Sequence, residues 1–160
     1  MLIKVNLNKI QQANSMLSQE WKKQGQKLLL SANDFASFKE AVIWCGKTGH
    51  VSRTVKKDDL DEFAKHLWDN KDRIKNGEYS LKGDTGEFGG TRPLSWVSKI
   101  LHIMYPKKYP IIYDNNIRKA LGINNLSEYE EKLYQNREDF KDTKEDEEIF
   151  KYDSDLWASV

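Results

Sequence analysis

Two side chains in the second half of the chain have the types and spacing that a catalytic site needs. Asp114 follows the extended run PIIY and precedes a short helical pattern, which places its carboxylate at a helix N-terminus. Lys99 lies 15 residues earlier, on the helix that leads into this connection. A positioned carboxylate can stabilise developing positive charge or orient water. A lysine that is removed from water can act as an amine nucleophile.

Each of these residues also has an ordinary structural interpretation. An aspartate before a helix caps backbone N–H groups and contributes about 1 kcal/mol to stability. A lysine on a helix flank is usually solvated. The spacing of Asp114 and the helical position of Lys99 are compatible with both interpretations.

A second group of residues has the chemistry of nucleic-acid contacts. Cationic and imidazole side chains can bind phosphate, and tyrosine rings can stack on bases. The predicted contacts are Arg92, His102, Lys107, Lys108, Tyr109, Tyr113 and Arg118. The three histidines have no metal-ligand spacing and Cys45 is the only cysteine, so no metal and no cofactor are expected.

These residues require two helices joined by a short connection that contains proline. Pro93 suits the first turn of a helix whose apolar stripe includes Trp96, Ile100 and Met104. Pro106 ends that helix, and Pro110 keeps the following residues extended. Asp114 then begins a second helix that Gly122 terminates.

The remaining patterns predict a single all-α domain over residues 1–160, with six or seven helices. Stripes at helical spacing begin near Asn8, Ser31 or Asn33, and Asp58 or Asp59, with stops at Gly25, Gly46 and Asn76–Gly77. Ser127 and Glu130 form a predicted capping box, and a last short helix contains Ile149, Phe150 and Trp157. Residues 2–7 alternate as a short strand or an extended lead-in would, and residues 77–91 predict a glycine-rich loop.

Charge is distributed unevenly along the chain. Residues 1–125 carry 21 basic and 13 acidic side chains, a net charge of +8, whereas residues 126–160 carry 5 and 12, a net charge of −7. A basic body with an acidic C-terminal helical segment is compatible with DNA binding. Alternatively, these charges form solvated helix faces, or the acidic segment folds back over the basic body. A cytoplasmic protein without a membrane span is expected, because no apolar run of about 18 residues occurs.

The segment SWVSKILHIMYPKKYPIIYDNNIRKALG resembles the helix-hairpin-helix DNA glycosylase superfamily. It is also similar to small bacterial and phage proteins with an 8-oxoguanine glycosylase fold, whose last helix resembles the C-terminal YDSDLW. The resemblance covers about 35 residues and rests on the element Pro110–Asp114 followed by a helix. It implies that Asp114 stabilises the sugar cation while the N-glycosidic bond of a flipped base breaks.

Two features of the segment differ from the family pattern. The hairpin lacks a recognisable Gly-x-Gly, and Lys99 lies closer to Asp114 than the lysine of the strand-cleaving members does. This spacing argues against strand cleavage through a Schiff base. The alternative is a non-catalytic binding module on the same scaffold, which binds DNA or, as a phage or mobile-element protein, a host protein. The oligomeric state and the substrate base are not indicated by the sequence.

Overall fold

A computed structural model of the chain describes residues 19–48, 57–81 and 94–160. The predicted strand at residues 2–7, the helix start near Asn8, Arg92, Pro93 and most of the glycine-rich loop lie outside these ranges. Within them the chain forms eight helices and no strand, which confirms the all-α class. The helices are α1 (Glu20–Ser31), α2 (Phe35–Thr48), α3 (Lys57–Asp69), α4 (Lys71–Lys75), α5 (Leu94–Met104), α6 (Asn115–Leu121), α7 (Leu126–Phe140) and α8 (Asp146–Ala158).

Helix α5 is buried on every side, although Ser98, Lys99 and His102 form a polar strip along it. Residues 96–104 of α5 are all buried, as expected for a helix in the middle of a core. Helices α1 and α2 pack against α5 and each other, and α3 packs on α2. The last helix, α8, packs against the short helix α6. Apolar side chains from all eight described helices contribute to one core cluster or pack against it.

Two glycines that predict helix ends instead allow close packing inside helices. Helix α1 continues through Gly25 to Ser31, and a Cβ at Gly25 would lie 2.9 Å from the Cys45 sulfur of α2. Helix α2 continues through Gly46, where a Cβ would overlap the Trp96 ring. Because glycine removes the Cβ, neighbouring helices approach each other at these points.

Three other helix boundaries differ from the sequence prediction. Asp34, and not Ser31 or Asn33, caps α2, because its Oδ1 accepts a 2.8 Å hydrogen bond from the Ser37 amide. The helix predicted to run to Asn76 is interrupted at Asn70 and resumes as α4, so the described helices exceed the six or seven predicted. The capping box at α7 involves Asn125 and Glu128, two residues before the predicted pair.

The acidic C-terminal segment lies against the basic N-terminal part of the described chain. From α8, Asp153 binds Lys22 at 3.2 Å, Glu147 binds Lys23, and Asp146 accepts a 3.0 Å bond from Gln26. All three partners are on α1. The fold-back alternative is therefore correct at this face, and α8 compensates positive charge that would otherwise be available to a partner.

Candidate functional site

The second helix of the predicted helix pair begins at Asp114, as its sequence pattern indicates. Asp114 has extended backbone dihedral angles, and its Oδ1 accepts a 2.8 Å hydrogen bond from the Ile117 amide. Gly122 ends α6 in the left-handed conformation, with φ 68°. The capping interpretation is correct, and the carboxyl group is half-buried.

The environment of Asp114 also perturbs its ionisation. Burial raises the pKa of Asp114 to about 6, and the nearby Asp153 carboxylate adds to the increase. The Ile117 amide and the Lys99 amine act in the opposite direction. A carboxyl group that titrates near neutral pH is typical of acid–base and charge-stabilising sites, although structural clusters also produce such shifts.

Lys99 faces the interior of the protein and not the solvent. The residue is only 6% exposed, and its Nζ lies 5.7 Å from the centre of the Trp21 ring. Burial lowers the pKa of Lys99 to about 8, and the Lys22 ammonium adds to the decrease. Asp114 is the strongest opposing charge. The solvated-flank interpretation of Lys99 is therefore wrong, and the structure brings Lys99 and Asp114 into one electrostatic environment.

A buried polar cluster, formed by Lys22, His102 and Asp153, lies next to this pair. The Lys22 Nζ donates to His102 Nε2 at 3.1 Å, to the Phe150 carbonyl at 3.1 Å and to Asp153 Oδ2 at 3.2 Å. Three acceptors match the three protons of an ammonium group. Such a buried ion pair is tolerated because its polar atoms are hydrogen-bonded.

The charge state of this cluster follows from its contacts. Burial lowers the pKa of Lys22, and Asp153 opposes the decrease. Burial would raise the pKa of Asp153, but the Lys22 ammonium, together with the hydrogen bond from the Ile112 amide, outweighs it and holds that pKa below its usual range. The Asp153 carboxylate is therefore ionised at neutral pH.

His102 is a structural residue in this conformation, which corrects its prediction as a DNA contact. Its ring is fully buried, and Nδ1 donates a 2.8 Å bond to the Tyr109 carbonyl. Nε2 is then the acceptor for Lys22, which requires the neutral ring. Burial, followed by the Lys22 charge, lowers the pKa of His102 to about 3, in agreement with that state.

Tyr109 is likewise a core residue and not a stacking platform. It is 1% exposed, and its hydroxyl donates a 3.1 Å hydrogen bond to the Ile74 carbonyl. Tyr113 is half-buried, and the centre of its ring lies 5.0 Å from the centre of the Tyr129 ring and 5.0 Å from the Arg118 guanidinium. Of these two predicted base-stacking residues, only Tyr113 keeps part of its side chain at the surface.

The remaining predicted phosphate contacts lie at the surface near the ends of the connection. Lys107 and Lys108 are exposed in the turn after α5. Arg118 is half-buried and lines a groove of about 300 Å³. The groove residues are Asn115, Arg118, Lys119, Gly122, Ile123 and Asn124. It begins one residue after Asp114, and two of its six residues are cationic.

Sequence reasoning missed Lys22, Ser98 and Asp153. Asp153 had a detectable signal, because it lies four residues after Ile149 and three after Phe150 and therefore shares their buried helix face. Lys22 occupies the buried positions 22, 25 and 29 of α1 together with Gly25 and Leu29. Because two of these three buried positions are a lysine and a glycine, a search for periodic apolar residues does not detect this buried face.

Comparisons with known proteins found no family model, curated protein or solved structure that matches the chain. Among the described residues, no helix is long and apolar enough to cross a membrane.

Proposed function

We propose that the protein binds DNA and cleaves the N-glycosidic bond of a flipped base, with Asp114 and Lys99 as its catalytic residues. The observation that carries this proposal is the electrostatic interaction between the two groups. A carboxyl group with a pKa of about 6 and an amine with a pKa of about 8 influence each other's ionisation at the start of α6. The resemblance of residues 95–122 to helix-hairpin-helix glycosylases supplies the reaction type.

The carboxylate provides the charge that this reaction needs. As the bond between the base and C1′ of the sugar breaks, its electron pair leaves with the base and the sugar becomes positively charged. The ionised Asp114 offsets that charge in a site with little water, where electrostatic stabilisation is strongest. The base takes up a proton, and a nucleophile completes the reaction by adding to C1′.

Lys99 is the nucleophile in this proposal. With a pKa of about 8, roughly a tenth of the Lys99 side chain is the neutral amine at pH 7. The amine adds to C1′ and loses a proton. The C1′–O4′ bond then breaks, O4′ takes up a proton and an imine forms between C1′ and Lys99, which water hydrolyses without strand cleavage. Because Lys99 is 6% exposed, substrate binding must open the site around Trp21.

The surface around Asp114 is suited to a phosphate backbone. Lys107 and Lys108 are exposed at one end of the connection, and the groove with Arg118 and Lys119 lies at the other. Cationic side chains at both ends would hold the strand and fix its register. Tyr113 would stack on a base beside the flipped nucleotide.

The test is base release from a panel of duplexes that each contain one damaged or modified base. We expect the wild-type protein to release a base from one member of the panel and to lose that activity in Asp114→Asn. If no member loses a base while duplexes still bind in a salt-dependent manner, the chain is the non-catalytic DNA-binding module. If duplexes do not bind and one protein is captured stoichiometrically, a host protein is the partner.

A further inference from the structure

We propose that Asp153, on the last helix, is a positioning residue that holds the Tyr109–Tyr113 connection and thereby fixes the position of the Asp114 carboxylate at the start of α6. The catalytic consequence rests on the proposed function, but the positioning itself is a property of the fold. It gives the C-terminal helix a specific task, distinct from covering the basic body.

The connection that carries Asp114 is held by side chains more than by regular secondary structure. Four side chains from α5, α7 and α8 bind its backbone. His102 donates to the Tyr109 carbonyl at 2.8 Å, and Tyr129 to the Ile111 carbonyl at 2.7 Å. Asp153 accepts from the Ile112 amide at 2.9 Å, and Ser98 accepts from the Tyr113 amide at 2.9 Å. Each of these bonds satisfies a backbone group that helix or sheet would otherwise pair.

Asp153 occupies the central place in this arrangement because it has two different partners. Its Oδ1 binds the connection, and its Oδ2 binds Lys22 of α1. Lys22 in turn binds His102, whose other nitrogen holds the opposite end of the connection. This buried cluster therefore joins the first and last helices to the connection at Tyr109 and at Ile112. Ile112 lies two residues before Asp114.

A purely stabilising role for Asp153 would require only the ion pair with Lys22, and the bond to Ile112 would be incidental. The stabilising role and the positioning role can be distinguished in variants that lack the ion pair. In the double variant Lys22→Met/Asp153→Asn, both charges are absent but an oxygen remains to accept from the Ile112 amide. In Lys22→Met/Asp153→Leu, the charges are also absent and no acceptor remains.

The comparison of these two variants uses NMR. The exchange rate of the Ile112 amide reports the hold on the connection, with the Ile103 amide in α5 as the internal control. The titration of the Asp114 side-chain carboxyl carbon reports its environment. The charged groups that face Asp114 are Lys99 from α5, Lys22 from α1 and Asp153 from α8, and Lys99 is the only one that remains in both variants.

We expect the Ile112 amide to exchange about tenfold faster in the leucine variant than in the asparagine variant, the effect of one lost hydrogen bond. The Asp114 titration should move to lower pH in the leucine variant, because a loosened carboxyl group is less buried and burial is the main cause of its raised pKa. Equal exchange rates and equal titrations in the two variants would overturn the proposal. So would a parallel change at Ile103, which would indicate a general loss of stability.

Ser98→Ala provides a second test with the Lys22–Asp153 pair intact. This small change removes the acceptor of the Tyr113 amide, one residue before Asp114. We expect faster exchange of the Tyr113 amide and the same downward shift of the Asp114 titration; an unchanged titration contradicts the positioning account. Neither test measures base release. An inactive protein would therefore count against the proposed function, while the exchange rates and titrations would still test the positioning role of Asp153.

Discussion

At the scale of single residues, Asp114 combines a structural and a chemical property. It caps α6 through Ile117, and burial with the nearby Asp153 charge raises its pKa to about 6. Asp34 caps α2 by the same 2.8 Å bond but is exposed, and its pKa is lowered by the Ser37 hydrogen bonds. The two aspartates make the same capping hydrogen bond, but their pKa values are shifted in opposite directions. The raised pKa of Asp114 therefore comes from its surroundings.

The first prediction concerns the pH dependence of base release. Only the ionised carboxylate can stabilise a sugar cation, and Asp114 loses its charge as the pH falls through about 6. Because the Lys99 amine must also be neutral, kcat/KM should fall about tenfold per pH unit from about 8 to about 6 and about a hundredfold per unit below about 6. The measurement is a single-turnover profile from pH 5 to 7.5 on the active duplex. A flat profile over this range would contradict an ionised Asp114 in the reaction.

A second residue-scale prediction concerns Lys99. If its amine adds to C1′ and the C1′–O4′ bond then opens to give an imine, borohydride should reduce that imine to an amine and leave DNA covalently attached to the wild-type protein. Lys99→Gln should give no such product, whereas Lys65→Gln, at a solvated lysine of α3, should behave as the wild type. Base release that persists in Lys99→Gln, without any trapped product from the wild type, would make water the nucleophile.

The residue types of the site were predictable from sequence, but their environments were not. Asp114 as a cap and Gly122 as a stop follow from local rules. The buried positions of His102 and Tyr109 depend on contacts with Lys22, 80 residues away in sequence, and with Ile74, 35 residues away. No local pattern reports such contacts.

At the scale of elements, the last helix is joined to the first by a buried ion pair. The Lys22 and Asp153 side chains are 0% and 4% exposed, whereas those of the neighbouring pair Lys23 and Glu147 are 41% and 50% exposed. We expect the loss of one partner to destabilise the fold more in the buried pair than in the exposed pair. Removal of one buried partner leaves an uncompensated charge away from water, while an exposed partner is simply solvated.

This difference gives the third prediction. Lys22→Met should lower the free energy of unfolding by about 3–5 kcal/mol, because Asp153 then lacks its counter-charge. Lys23→Met, its neighbour, should have a much smaller effect, because both members of that pair are exposed and water replaces the lost partner. Urea denaturation at pH 7 measures both. Because the folded-state pKa of Asp153 is lowered, its stabilising contribution is present at neutral pH and is lost as the pH falls below the usual carboxyl range. Equal effects of the two variants would contradict the buried pair.

Glycines limited the prediction of the elements. In sequence, Gly25 and Gly46 have the position and flanking residues of helix stops, but each lies inside a helix where another side chain takes the place of a Cβ. The same residue type at Gly122 is a genuine stop with φ 68° and no atom within 4 Å of a built Cβ. Close approach between helices is a property of tertiary packing, so local sequence could not distinguish these cases.

At the scale of the whole molecule, the charge asymmetry is partly compensated within the fold. The acidic helix α8 covers cationic residues of α1, while Lys107 and Lys108 are exposed in the turn after α5 and Arg118 and Lys119 line the groove at α6. Part of the positive charge of residues 1–125 is therefore neutralised within the fold. The phosphate contacts that we propose are the cationic residues of α6 and of the turn after α5.

The fourth prediction follows from that location. Lys119→Ala should weaken binding to all duplexes alike and reduce the slope of log K against log salt by about 1, as expected for one lost phosphate contact. Lys65→Ala, which removes an exposed charge from α3, should leave the slope unchanged. Fluorescence anisotropy across a salt series measures both. An unchanged slope in Lys119→Ala would place the DNA on another face.

The most direct measurement of the central claim compares two aspartates that cap helices in the same way. Base release from the active duplex is followed under single-turnover conditions for the wild type, Asp114→Asn and Asp34→Asn. Asparagine caps a helix as well as aspartate does, so both variants should stay folded. The catalytic account predicts a loss of about 100-fold or more for Asp114→Asn, comparable to removal of one electrostatic stabiliser, and wild-type activity for Asp34→Asn. Full activity in folded Asp114→Asn would contradict it.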